Sequence, residues 1–365
     1  MKTKPIYKSG RVILPLLFIA VTLFFSGCKK ELDVDASTNN QENSIYKTSK
    51  NIQFGPDIRC SGGEDPSIAI NKNNRFVLVQ NTWVTSYLFY QVGTVDNNAK
   101  ISLGEPTTYE PYPYSIGRSP SVDINDNNIV VEAHTAERPF DGRLFYQVGY
   151  HNGSSIEWSK SYEYDDNGTT PDIAVNNNNV VVEVHNSNNS KYNLSYRVGI
   201  VDPKTKTISW GENHIYDSGY GTHPSIAINN NNQIVEVHQY NINLKLWYRV
   251  GTIHPDSKTI SWGNSVCYQE IPPAQSGYSL FTPDIALSDN GFVTEVHRYI
   301  VGISNNSLWS TTGQINGDKI SWYGSSKRYN EGRSPSVAAN NSFIIQAHQD
   351  SGEGWTYASA SKITN

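Results

Sequence analysis

The chain has 365 residues, with 29 Lys and Arg against 34 Asp and Glu, and charged residues make up only 17% of it. Charge this sparse and balanced excludes a basic nucleic-acid-binding surface, and the length allows one large domain or two medium ones. Tyr, Trp, Asn and Gly are plentiful while methionine occurs only at Met1, a bias that fits an all-β extracellular protein better than a cytosolic enzyme.

In chain order, the first segment is a targeting signal. Lys2, Lys4, Lys8 and Arg11 precede the apolar run VILPLLFIAVTLFF (12–25), which is short for a membrane span and reads as a signal peptide over 1–27. It ends in FSGC (25–28), which resembles a bacterial lipobox. The resemblance implies cleavage before Cys28, lipidation of its thiol, and anchoring in an outer membrane through the lipid alone. CKKELD (28–33) is similar to the Lys-plus-acid signal that sends Bacteroidetes lipoproteins to the cell surface. Residues 28–50 are polar and read as a flexible tether.

From residue 51 onward one motif, P-[SD]-[IV]-A-[IVL]-N, starts near-regularly at Pro66, Pro120, Pro171, Pro224, Pro283 and Pro335. The spacing suits a propeller blade. Each unit holds four strand-like segments; in the fourth they are PSIAIN (224–229), QIVEVH (233–238), LWYRVGTI (246–253) and TISWGNSVCY (259–268), here lettered a to d. Asn-rich turns join a to b, because Asn tolerates positive φ in tight hairpins. The expected fold is therefore all-β: a six-bladed β-propeller over 51–365 with four antiparallel strands per blade. The sixth unit ends without a strand d, and NIQFGPDIRC (51–60) matches TISWGENHIY (207–216), so the N-terminal strand is expected to close the last blade. Cys60 and Cys267 then fall in blades six and four, too far apart to pair, and two free thiols are expected.

A Glu-x-His pair recurs at the end of strand b: Glu132/His134, Glu183/His185, Glu236/His238 and Glu295/His297, with His348 behind Gln346 in unit six and neither member in unit one, which has Leu78 and Gln80. Residues i and i+2 share one face of a strand. A buried Glu needs a partner: its His, a backbone amide, or Arg197 or Arg249 on strand c. Repetition in several blades argues for scaffold over catalysis, and two ligands per blade leave a metal site incomplete, so no metal or other cofactor is expected. The histidines close strand b beside the b–c loops, which vary from blade to blade, and His134, His185, His238, His297 and His348 are therefore candidate ligand contacts.

Residues that break the repeat on that loop face are the other candidates. Arg118 and Arg333 come from two GRSP segments, His223 stands at the d–a junction of blade four, and Glu64 and Asp65 stand at that of blade one. The two arginines should bracket the acids, as a salt network or as an anion or sugar site. Trp83, Arg138 and Arg298 in the b–c loops, with Tyr240 and Tyr299, can stack on or clamp a sugar. The recurrence of Arg, Glu and Trp is loosely similar to fucose-type propeller lectins, a resemblance that implies sugar binding between blades.

The reading that follows is a monomeric, lipid-anchored, lectin-like propeller on a bacterial surface, with a glycan as its partner and no nucleic acid. The alternatives are a polysaccharide lyase or glycoside hydrolase with one site at the loop face, for which Arg118, His223 and Arg333 would be the catalytic residues, and a protein-interaction scaffold.

Overall fold

The computed structural model describes residues 52–363, except 83–84, 110–116, 137–141, 189–191, 242–244, 271–281, 302–304 and 353. The signal peptide, the tether and Cys28 lie outside the described residues, as do Trp83 and Arg138.

Six antiparallel sheets form the ring, and each is a blade. Blade 4 shows the pattern: strand a is Gly221–Ile228, strand b Gln233–Tyr240, strand c Lys245–His254. Strand d is broken in two, Thr259–Trp262 and Val266–Gln269, and both pieces pair with strand c. Blade 6 is built from Arg333–Ala339, Phe343–Gln349 and Trp355–Lys362, and its outer strand is Ile58–Gly62 from the N-terminal end. The match between 51–60 and 207–216 extends to single bonds. The Gly55 N–H donates to the Ala360 carbonyl at 2.9 Å, as Gly211 donates to Val198 and Gly263 to Val250, both at 2.8 Å.

Strand b is the middle strand, so both its faces are covered. All eight residues of Val180–Ser187 are buried. The cores sit between blades: Val182 and Val184 of blade 3 pack with Ile226, Ile228 and Ile234 of blade 4. Burial at roughly 25 cal/mol per Å² makes these seams the main source of stability.

Two belts of hydrogen bonds tie the ring together, and each explains a motif. The first is the NNNN turn. The Asn176 Oδ1 accepts the N–H groups of Asn178 and Val180 at 3.0 and 3.1 Å, which closes the turn. Its Nδ2 donates to Asn232 Oδ1 of the next blade at 2.8 Å. Asn177 Oδ1 accepts the Asp126 N–H of the previous blade at 2.7 Å. Asn179 holds φ at 61°, a conformation Asn reaches at little cost. The Asn runs are thus clamps between blades as well as turns.

The second belt uses the Ser or Asp after the repeated proline. Ser67 accepts the Val122 N–H, Ser121 that of Ile173, Asp172 that of Ile226, Ser225 that of Ile285, Asp284 that of Val337, and Ser336 that of Ile68. Every blade is bonded to the next, including the sixth to the first. This belt forms the waist of the axial channel.

Cys60 is a buried free thiol, as expected. Cys267 departs from the expectation: it is not a free thiol.

Candidate functional site

The Glu-x-His pairs lie inside the seams. Glu132, Glu183, Glu236 and Glu295 are each 0% exposed, and His134, His185, His238, His297 and His348 are at most 2% exposed. In the four complete pairs the histidine Nδ1 meets its glutamate at 2.9 to 3.1 Å. The second partner of the glutamate is a tyrosine from strand d of the preceding blade. The Tyr109, Tyr216 and Tyr268 hydroxyls donate to Glu132, Glu236 and Glu295 at 2.9, 2.8 and 2.9 Å. Burial and the adjacent carboxylate hold the Tyr216 and Tyr268 phenols well above their ordinary range.

Arg197 and Arg249 are not the partners of the glutamates. They bridge instead to Asp165 and Asp217 of the preceding blade, at 2.8 and 2.9 Å. The five histidines do not reach the loop face either. Strand b runs on past them, for example to Ser187 beyond His185, and their rings are covered by neighbouring strands. A methyl group added at Gly168 would come within 2.9 Å of the His185 ring and 2.4 Å of Leu144, which is why glycine stands there. Buried this way, the histidines present no surface to a ligand and act as seam hydrogen-bonding groups. The tryptophans behave likewise. Trp262 stacks on Tyr216 at 5.0 Å and meets Tyr196 edge-on at 5.9 Å, inside the same seam.

The residues that break the repeat do come together. A recess at one end of the channel is lined by the segment around the repeated proline of all six blades, with Asp65 and His223 among its walls. Blades 1 and 4 are opposite in a ring of six, so Asp65 and His223 belong to opposite walls of the recess. In five blades the residue before the proline lies in the left-handed region, with φ between 43° and 52°, at a bulge in the strand a–strand b pairing: Asp65, Ser119, Thr170, His223 and Ser334. The bulge turns these residues toward the axis, and such strained positions concentrate at functional sites.

Arg118 and Arg333 both act electrostatically on Glu64, and Arg118 also acts on Asp65, so the arginines of blades 2 and 6 bracket the acids of blade 1 as the sequence suggests. Burial still wins, and it raises both carboxyl groups above their ordinary values. Ser334 donates to Asp65 at 3.4 Å. Arg333 also donates to the Ser351 carbonyl at 2.9 Å. Arg298 of blade 5 is held by Asn306 and is lowered in pKa by burial and by the charge of Arg333, which places three guanidinium groups along one arc of the mouth. On the other side, burial lowers the His223 imidazole, which is therefore neutral near pH 7, and its Nδ1 has no hydrogen-bond partner among the described residues.

Two groups were not anticipated from the sequence. Asp172 and Asp284 stand at the channel waist. Burial, with Asp284 nearby, pushes the Asp172 carboxyl up to about 7, and burial raises Asp284 as well. Tyr192 and Tyr220 are 46% and 44% exposed, and Tyr220 lies only three residues before His223. The available signal for Tyr220 was its place before the glycine of the d–a junction, where no other blade carries an aromatic residue. Among the described residues no three His, Cys, Asp or Glu side chains are grouped so as to hold a metal ion.

No family model matches the chain, and no curated protein matches it. Solved structures share its architecture. A protein of unknown function from Dyadobacter fermentans superposes with a TM-score of 0.57 at 11% identity, over 88% of this chain and 100% of the other. The Hadza microbial sialidase Hz136 gives a TM-score of 0.55 at 9% identity, over 82% of this chain and 66% of the other. An exo-β-1,3-galactanase from Phanerochaete chrysosporium gives 0.46 at 8% identity, over 80% of each chain. At these identities the likeness is one of fold.

Proposed function

We propose that the chain is a glycan-binding propeller of the cell surface, and that its ligand enters the recess lined by Asp65 and His223. One observation carries this reading: the two ends of the channel differ. At the Asn-turn end the same clamp recurs at four of the six blade junctions. The other end breaks the repeat with Glu64, Asp65, Arg118, Arg298, Arg333 and His223 gathered on a regular scaffold. A concave mouth with a few converging polar groups is the usual form of a small-ligand site. Arginines and carboxyls suit the hydroxyl and acidic groups of a sugar. That a similarly folded protein is a sialidase supports a glycan as ligand. The likeness to fucose-type lectins supports it less, because the Glu and Trp residues behind it lie within the seams.

The test uses the detergent-solubilised full-length chain on a glycan array and on a set of acidic polysaccharides. Retention without new reducing ends or ultraviolet-absorbing products is the expected result, with retention weakened by Arg118→Ala. No retention of any glycan overturns the reading.

A catalytic reading has its own support. Asp65, whose carboxyl is held above its ordinary range, lines the same recess as the His223 imidazole, held below its own, the pattern of a proton donor and acceptor in one cleft. It predicts turnover in the same assay that is lost in both Arg118→Ala and His223→Ala.

A further inference from the structure

The wall of the mouth on the His223 side continues outward into an aromatic surface. Tyr220 is 44% exposed and lies edge-on to Tyr240, with ring centroids 6.3 Å apart and planes at 77°. The segment that carries it is held from two sides. The Asn241 N–H donates to the Tyr220 carbonyl at 2.8 Å. Asn186 of the neighbouring blade donates to the Gly221 carbonyl at 2.6 Å and accepts the His223 N–H at 3.1 Å. Gly221 is pressed so closely on Leu194 that a methyl group there would come within 2.4 Å of it.

Tyr220 holds φ at 62°. For a bulky side chain this is an outlier that the surroundings must impose. The repeat does not require it. Asn167 and Glu331 stand at the same place in other seams, and neither lies in the left-handed region. An exposed aromatic ring kept at a strained backbone position, where glycine would fold more easily, is shown to solvent at a cost to stability.

We infer that Tyr220 and Tyr240 form a stacking subsite for an uncharged pyranose ring, so that the mouth receives one unit of an oligosaccharide while a neighbouring unit lies on the tyrosines. This rests on the glycan reading above and extends it from a single sugar to a chain. Three residues of extended backbone span at most about 10 Å, so the platform adjoins the recess where His223 stands. Beside the rings stand the Thr222 hydroxyl and the Asn241 amide, which match sugar hydroxyls, while Asn186 and Gln239 are buried; Lys245, cross-strand from Tyr240, is paired with Glu270, so its charge is met within the protein. The apolar face of a pyranose packs on an aromatic ring, and the tyrosine hydroxyl remains free to bond at its edge.

The test compares the full-length chain with Tyr220→Gly, Tyr220→Phe and Tyr240→Ala on a printed array of neutral gluco-, galacto-, manno- and xylo-oligosaccharides together with acidic ones. Melting temperatures are measured alongside. For oligosaccharides retained by the unaltered chain, Tyr220→Gly and Tyr240→Ala should weaken binding about tenfold, while Tyr220→Phe keeps it. Tyr220→Gly should melt no lower than the unaltered chain, since glycine relieves the positive φ, and this separates lost binding from lost folding. If the unaltered chain binds oligosaccharides and Tyr220→Gly binds them equally, the subsite is overturned and the mouth reading stands. If the unaltered chain binds no oligosaccharide, both fall.

Discussion

Between blades 3 and 4, Tyr196, Tyr216 and Trp262 pack together, and Tyr216 and His238 both bond to the buried Glu236. Between blades 6 and 1, where the ring closes, the equivalent places hold Ala358, Cys60, Leu103, Leu78 and Gln80. Cys60, Leu78 and Ala358 share one apolar cluster, and Gln80 accepts the Thr356 hydroxyl of blade 6 at 2.6 Å. The aromatic and ionisable members have been exchanged as a set. A buried carboxylate without its donors, or a buried donor without its acceptor, costs more than an apolar group of similar size, so partial exchange is the unfavourable state. The closing seam is formed by chain ends far apart in sequence, and it replaces the buried ionisable cluster with an apolar one and neutral hydrogen bonds.

The largest effect should come from putting one polar member into the wrong seam. Leu78→Glu buries a carboxylate with neither Tyr nor His beside it and should cost about 4 kcal/mol or more in denaturant unfolding. In the opposite direction, Glu236→Leu leaves the Tyr216 hydroxyl and His238 unpaired and should cost about 2–4 kcal/mol. Tyr216→Phe should cost less in the Glu236→Leu background than alone, with a coupling of about 1–2 kcal/mol in a double-mutant cycle. Additive costs would show that the two residues are not one unit.

A smaller, pH-dependent effect belongs to the waist. The folded-state carboxyl of Asp172 lies at about 7, above the ordinary value of about 4. The native state therefore holds more protons than the unfolded chain between these values. The contribution of Asp172 to stability is present below about pH 4 and is lost as pH rises through about 7. Asp172→Asn should flatten that decline in melting temperature measured from pH 4 to 8. The smallest effect on stability, and the simplest to measure, concerns Cys60. Burial, with Asp57 nearby, pushes its thiol up to about 12. It should resist iodoacetamide at pH 8 in the folded protein and react on unfolding.

The architecture was legible because it is written several times. The spaced P-[SD]-[IV]-A repeats, the Asn turns and the match of 51–60 to 207–216 each follow from local rules, and the bonds of Gly55 and Gly211 repeat that match atom for atom. The bracketing of Glu64 and Asp65 by Arg118 and Arg333 was also legible, since it needs only blade order. The role of the repeated histidines was not. Strand periodicity places Glu183 and His185 on one face, but whether that face meets solvent or the next blade depends on how two sheets pack. The same limit hid the tyrosine that completes the Glu–His pairs of blades 2, 4 and 5, because it comes from the preceding blade.

By itself, then, the sequence determined the class, the number of blades, the closure by an N-terminal strand, and which end of the channel varies. These are properties of period and spacing, which a chain carries in one dimension. The tertiary structure alone decided that Glu236 and His238 serve a seam, that Asp172 and Asp284 meet at the waist, and that Tyr220 stands exposed beside the mouth at a positive φ. Each depends on surfaces brought together from different blades, and burial across such a contact is set by the packing of whole sheets.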